Sequence, residues 1–147
     1  MVGVVSSHDW LHFAGHAKQD LADPTKSVFF LHDGPLTLEE IVRHPFPCAS
    51  FAFLSGCQTA GGDTRPAEEA AHLAAGMMFV GYGSVIATMW SLPIDVRLLV
   101  DKVYAHLFEG QQPDSTRAAH ALHHAVQCLR QQSAPFRSWV PFIHMGR

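Results

Sequence analysis

The chain has 147 residues, 48% hydrophobic and 16% charged, a composition that fits one globular domain with a sizeable core and excludes intrinsic disorder. Ten Lys and Arg against 13 Asp and Glu give a net charge of −3 with no basic run, so the electrostatic footprint of a nucleic-acid binder is missing. Histidine is the outlier: eleven copies carry the formal charge from −3 to +8 when all are protonated, which makes solubility and association depend on pH.

Helical and strand-like segments alternate along the chain, the pattern of an α/β fold with a mostly parallel sheet. Asp9 to Ala14 (DWLHFA) is short, apolar on both faces and stops at Gly15. It predicts a strand buried on both sides that delivers His16 to its end. Val28 to Leu31 (VFFL), then Asp33-Gly34 and Pro35-Leu36, predicts a hairpin in which Asp-Gly supplies the positive φ values of a tight turn. Thr37 to Glu40 (TLEE) spells a capping box, so a short helix starts there, and Pro45 and Pro47 end it. Ala49 to Ser55 (ASFAFLS) is the next buried strand, with Cys57 at its end and a loop holding Gly61 and Gly62 beyond.

A helix is expected from about Pro66 to Val80, capped by Thr64, with Glu68 and Glu69 favourable to its dipole and Ala70, Leu73, Ala74, Met77 and Met78 facing inward. Ser84 to Met89 (SVIATM) reads as a third core strand closing on Trp90. Pro93 opens a helix whose Val96, Leu99, Val100, Val103, Tyr104 and Leu107 keep a helical rhythm until Gly110. Ser115 caps a last helix with Ala118, Ala121, Leu122, Ala125 and Leu129 inward, and Trp139 to Met145 is a final strand that Pro141 places at an edge.

Ala70 to Ile94 runs 25 residues without a charge, the length of a membrane span. His72, Ser84 and the glycines at 76, 81 and 83 divide it instead into a helix, a turn and a strand, so no membrane association is expected. Cys48, Cys57 and Cys128 are an odd set without CxxC spacing, which points to a reducing compartment. Met1 to Ser7 lacks the basic region and apolar length of a signal peptide, and a cytoplasmic location is the expectation.

In open parallel sheets ligands bind beyond the carboxyl ends of the strands. His16 and Cys57 reach that crevice independently, and strands lie about 4.8 Å apart, so imidazole and thiol can meet. A thiol of ordinary pKa, about 8.5, is only a few per cent ionised at neutral pH, and an adjacent imidazole holds the thiolate or takes its proton. Lowering the thiol pKa by about two units, roughly a hundredfold change in the ratio of thiolate to thiol, needs about 2.7 kcal/mol. Amides around Gly15 to Ala17 and Gly56 to Cys57 are placed to stabilise an oxyanion. The competing reading of Cys57 is a small, inert core residue.

Four segments carry a resemblance: HFAGHA (His12 to Ala17), FLSGCQTA (Phe53 to Ala60), VIATMW (Val85 to Trp90) and SWVPFIHMG (Ser138 to Gly146). In that order they resemble the CHAT family, caspase-like domains related to separase and often attached to tetratricopeptide repeats. The resemblance runs through nearly the whole chain. It implies a caspase-like three-layer α/β sandwich, a catalytic dyad of His16 and Cys57, and cleavage of a protein or peptide substrate through an acyl-enzyme without a cofactor. Tetratricopeptide-repeat regions, or an amino-terminal part of the domain missing from this chain, are the implied partners.

Three departures from the family pattern stand out. The family usually has Gly after the catalytic His and Ala before the Cys, whereas this chain has Ala17 and Gly56; a positive φ at position 17 would strain alanine. The family's acidic residues follow the tryptophan by about three to four positions and are thought to help hold a basic substrate residue. Here the only acid nearby is Asp95, which reads equally as a first-turn helix carboxylate. Members usually carry a further amino-terminal α/β part. Residues 1–147 are therefore expected to form a single domain, the carboxyl-terminal catalytic portion, with that amino-terminal part missing and DWLHFA left as an exposed apolar edge that invites pairing with another chain.

His120, His124 and Cys128, and likewise His8, His12 and His16, recur at four-residue spacing, as metal ligands on one helical face do. The last-helix trio reads as a polar flank beside an apolar stripe and the first trio falls on a strand, so no metal is expected. Gly81-Tyr82-Gly83 follows a helix and leads into a strand, the reverse of a dinucleotide loop. The alternative function is a catalytically inactive caspase-like interaction or signalling module, which needs the same fold.

Overall fold

A computed structural model describes residues 7–18, 20, 22–55, 57–58, 68–89 and 97–146. In chain order its elements are β1 (Trp10–Phe13), β2 (His16–Lys18), β3 (Val28–Leu31), β4 (Gly34–Thr37), α1 (Leu38–Val42), β5 (Phe51–Leu54), β6 (Cys57–Gln58), α2 (Glu68–Val80), β7 (Ser84–Thr88), α3 (Arg97–Leu107), α4 (Ala118–Gln131) and β8 (Phe142–Gly146). The fold is mixed α/β, as the alternation of patterns predicts.

The main sheet has the order β1-β5-β7-β8; β1, β5 and β7 are parallel and β8 returns antiparallel to β7. Pro141 directly precedes β8 and sits at the edge of the sheet, where its missing N–H breaks no ladder. A second sheet, β4-β3-β2-β6, joins the hairpin of β3 and β4 to β2 and then to β6.

The central strands read as unbroken apolar runs because both of their faces are covered. Phe51, Phe53 and Ile86 pack with Leu99, Val103 and Leu107 of α3 and with the alanine stripe of α4. On the other face Ala52, Leu54, Val85 and Ala87 pack with Leu38 and Ile41 of α1 and with Leu73, Ala74 and Met77 of α2. Helices thus cover both faces. Among the described residues no helix is long and apolar enough to cross a membrane.

The capping box of α1 forms as its sequence predicts: the Glu40 amide donates to Thr37 Oγ1 at 3.1 Å, and the Thr37 amide donates to Glu40 Oε2 at 2.8 Å. Other expectations shift. Asp114, not Ser115, is the cap before α4: its carboxylate accepts from the Thr116 amide at 3.0 Å and opens a 3₁₀ turn, Ser115–Arg117. In the hairpin, His32 and Asp33 form the loop and the positive φ, 130°, falls at Gly34 alone. β1 is not buried on both sides; it lies at the edge of its sheet among the described residues, with His12 exposed and its other residues half-buried. The expected cap Thr64, Pro66, Pro93 and Val96 lie outside the described residues.

A Cβ at Gly76 of α2 would overlap the side chain of Leu38, which is 4% exposed in the core. Alanine gains up to about 1 kcal/mol of helix propensity over glycine, whereas overpacking a core costs about 1–3 kcal/mol. Gly76→Ala is therefore expected to lower stability by about 1 kcal/mol, read as a lower urea midpoint; an unchanged or higher midpoint would show that Leu38 moves aside freely.

Candidate functional site

The site is built on one parallel ladder with a break in it. Trp10 to Phe13 lie opposite Phe51 to Leu54, and after the break His16 and Ala17 lie opposite Cys57 and Gln58 at the same offset. Two residues interrupt each side, Ala14-Gly15 and Ser55-Gly56, so the register survives. The Ser55 amide donates to the Phe13 carbonyl at 2.9 Å and carries the ladder past the end of β5. His16 and Cys57 are thus direct register partners, their backbones about 4.8 Å apart across the ladder.

The sequence expectation placed both residues at the ends of the first two core strands. Those strands are neighbours, but each residue instead begins a short strand of its own in the second sheet. The chain leaves the main sheet at the break because β2 takes a new antiparallel partner, β3. Gly15 sits where a Cβ would approach the Phe13 ring to 3.1 Å. Ala17 is 4% exposed and pairs with Phe29, on the face opposite His16. Ser133 is the only non-glycine residue with positive φ among the described residues, so alanine at position 17 is unstrained. Gly56, Trp90 and Asp95 lie outside the described residues, as does the side chain of Cys57.

Sequence reading considered His12 only as a metal ligand and missed its contact. His12 Nε2 lies 3.0 Å from Ser55 Oγ, and the Ser55 hydroxyl donates to the Phe13 carbonyl at 3.4 Å. The serine oxygen is then free to accept from the imidazole N–H. The ring packs beside Phe53, at 5.0 Å, and Tyr104, at 5.6 Å and nearly parallel, two rings that also stack on each other at 5.9 Å. Although one edge of His12 is exposed, these rings desolvate it and lower its pKa, favouring the neutral form. The pair ties together the roots of the two segments that carry His16 and Cys57. The signal was a polar residue inside one apolar run, His12, and one ending the other, Ser55, in paired strands.

At the other end of the sheet Ser84 Oγ lies 2.8 Å from His144 Nε2 and joins β7 to β8. Among the described residues no group of three metal-ligating side chains is assembled. In the last-helix trio, Cys128 Sγ lies 3.9 Å from His124 Nε2, and the His124 ring stacks on His106 at 5.2 Å.

A family model described as the CHAT domain matches residues 4–147. No curated protein matches the chain.

Burial holds the pKa values of His12 and His144 below the usual histidine value. The unfolded chain then binds more protons than the native one once the pH falls below about 6.5. Their contribution to stability is complete above that pH, is lost as pH falls through it, and stops changing below the native pKa values. The urea midpoint is expected to be lower at pH 5 than at pH 7.5, with a smaller difference in His12→Gln/His144→Gln. An equal difference in that variant would place the acid sensitivity elsewhere.

Proposed function

The chain belongs to the CHAT domain family, and from this premise we propose that it is a caspase-like cysteine endopeptidase with Cys57 as nucleophile and His16 as acid and base. The observation that carries this reading is the register that sets His16 opposite Cys57 in a parallel ladder. The helices on both faces of the sheet support a caspase-like three-layer sandwich.

In the proposed reaction Cys57 Sγ attacks the carbonyl carbon of a peptide bond as its proton passes to His16. Backbone amides around Gly15 to Ala17 and Gly56 to Cys57 receive the developing oxyanion. Collapse breaks the C–N bond, and His16 returns the proton to the leaving amine. Water, deprotonated by His16, then cleaves the thioester and restores the thiol. The chemistry uses the side chains of the dyad and backbone amides alone. Asp95 is the candidate contact for a basic substrate residue, and tetratricopeptide-repeat regions are the proposed partners.

A peptide acyloxymethyl ketone is expected to label Cys57. Labelling should vanish in Cys57→Ala and fall roughly a hundredfold or more in His16→Ala, as read by intact mass against time. Wild-type protein that takes no label, or His16→Ala labelled at the wild-type rate, would favour an inactive interaction module of the same fold.

A further inference from the structure

The hairpin beside the dyad carries an aromatic residue that core packing does not use. Across the second sheet the registers align Pro35, Phe30, His16 and Cys57 in a single row. Strand alternation gives Pro35, Phe30 and His16 one face, while Ala17 and Phe29 take the other and are each 4% exposed in the core. Phe30 is 47% exposed, and Pro35 and His16 are exposed beside it. Val28, two residues before Phe30 on the same face, is half-buried and extends the apolar strip. A phenylalanine ring left half in water forgoes much of the roughly 1.5–3 kcal/mol that burial provides. Its place next to His16 gives it a use.

We propose that Phe30, flanked by Pro35, is an apolar subsite that receives an aliphatic or aromatic side chain of the peptide substrate within three residues of the scissile bond. The proposal rests on the reading of His16 and Cys57 as the catalytic pair. Phe30 stands two strands from Cys57, about 10 Å at ordinary strand spacing, and an extended peptide advances about 3.3 Å per residue. A substrate whose carbonyl lies at Cys57 and whose chain crosses β2 therefore reaches the Phe30 ring with its third residue. The row is continuous with the dyad, so the occupant is the molecule being cleaved.

The test is a set of peptide acyloxymethyl ketones and amide substrates in which each position within three residues of the reactive carbonyl is leucine, phenylalanine, serine or aspartate. Wild-type protein is expected to prefer the apolar residues by roughly tenfold or more in kcat/KM or labelling rate at one of those positions. Phe30→Ala should reduce that ratio to near one, Phe30→Leu should restore most of it, and Phe79→Ala, at a remote ring that is 80% exposed, should keep it. A labelled wild type with no apolar preference, or a preference unchanged in Phe30→Ala, overturns the subsite alone. Wild-type protein that takes no label overturns the dyad and the subsite together. Self-association that is lost in Phe30→Ala without any change in peptide preference assigns the surface to a second copy and overturns the subsite.

Discussion

The structure depends on the register between β1 and β5. If β1 slipped by one residue, His16 would no longer face Cys57, and every side chain of the strand would change faces. The two faces of β1 resist this. Trp10 and His12 lie against Tyr104 on the side of α3, and Trp10 also meets Phe108 there, whereas Leu11 and Phe13 pack on the other face, Phe13 against Phe29. A slip would exchange these two sets, driving an indole and an imidazole into space shaped for Leu11 and Phe13, and such misfits are costly in a close-packed core. Register in the buried half of the ladder thus becomes geometry in the exposed half.

The backbones of His16 and Cys57 are held unequally. β2 has a neighbour on each side, β3 and β6, so the backbone of His16 is fixed by two ladders. β6 is two residues long and, among the described residues, has only β2 beside it. What steadies the approach to Cys57 is therefore upstream: the Ser55 amide on the Phe13 carbonyl and the Ser55 hydroxyl on His12. Histidine abundance, which from composition alone suggests a general response to pH, separates into distinct tasks. His12 and His144 tie strands together, His106 lies 3.2 Å from Glu109 and 3.1 Å from Arg117, and His16 stands exposed in the site.

Legibility in the sequence followed the range of the interaction. The capping box was readable because Thr37 and Glu40 satisfy each other within one turn. The helix faces were readable because the residues of α4 expected inward, Ala118 to Leu129, are all buried. At the start of α4 two good caps stand side by side, and spacing could not choose Asp114 over Ser115. The end of β1 was readable at Gly15, but nothing local in Ala14-Gly15 announces that the chain resumes as β2 with a new partner. The hairpin hid more. VFFL is apolar at every position, so period-two patterning cannot tell which phenylalanine faces the core. Only the pairing of Ala17 with Phe29 decides it.

That same pairing links the core to the site. Phe29 is held inward by the Phe13 ring, 4.8 Å away and nearly perpendicular, and by Ala17 across the strand. Alternation then forces Phe30 outward and into line with His16. A larger residue at position 17 would press on Phe29 and disturb the strand that bears the His16 imidazole. A small residue there is accordingly a packing requirement, and alanine meets it in a strand conformation that makes no use of glycine's freedom. The departure of Ala17 from the family's usual glycine is therefore compatible with an intact dyad, because what position 17 supplies is a short side chain facing the core and a backbone in register.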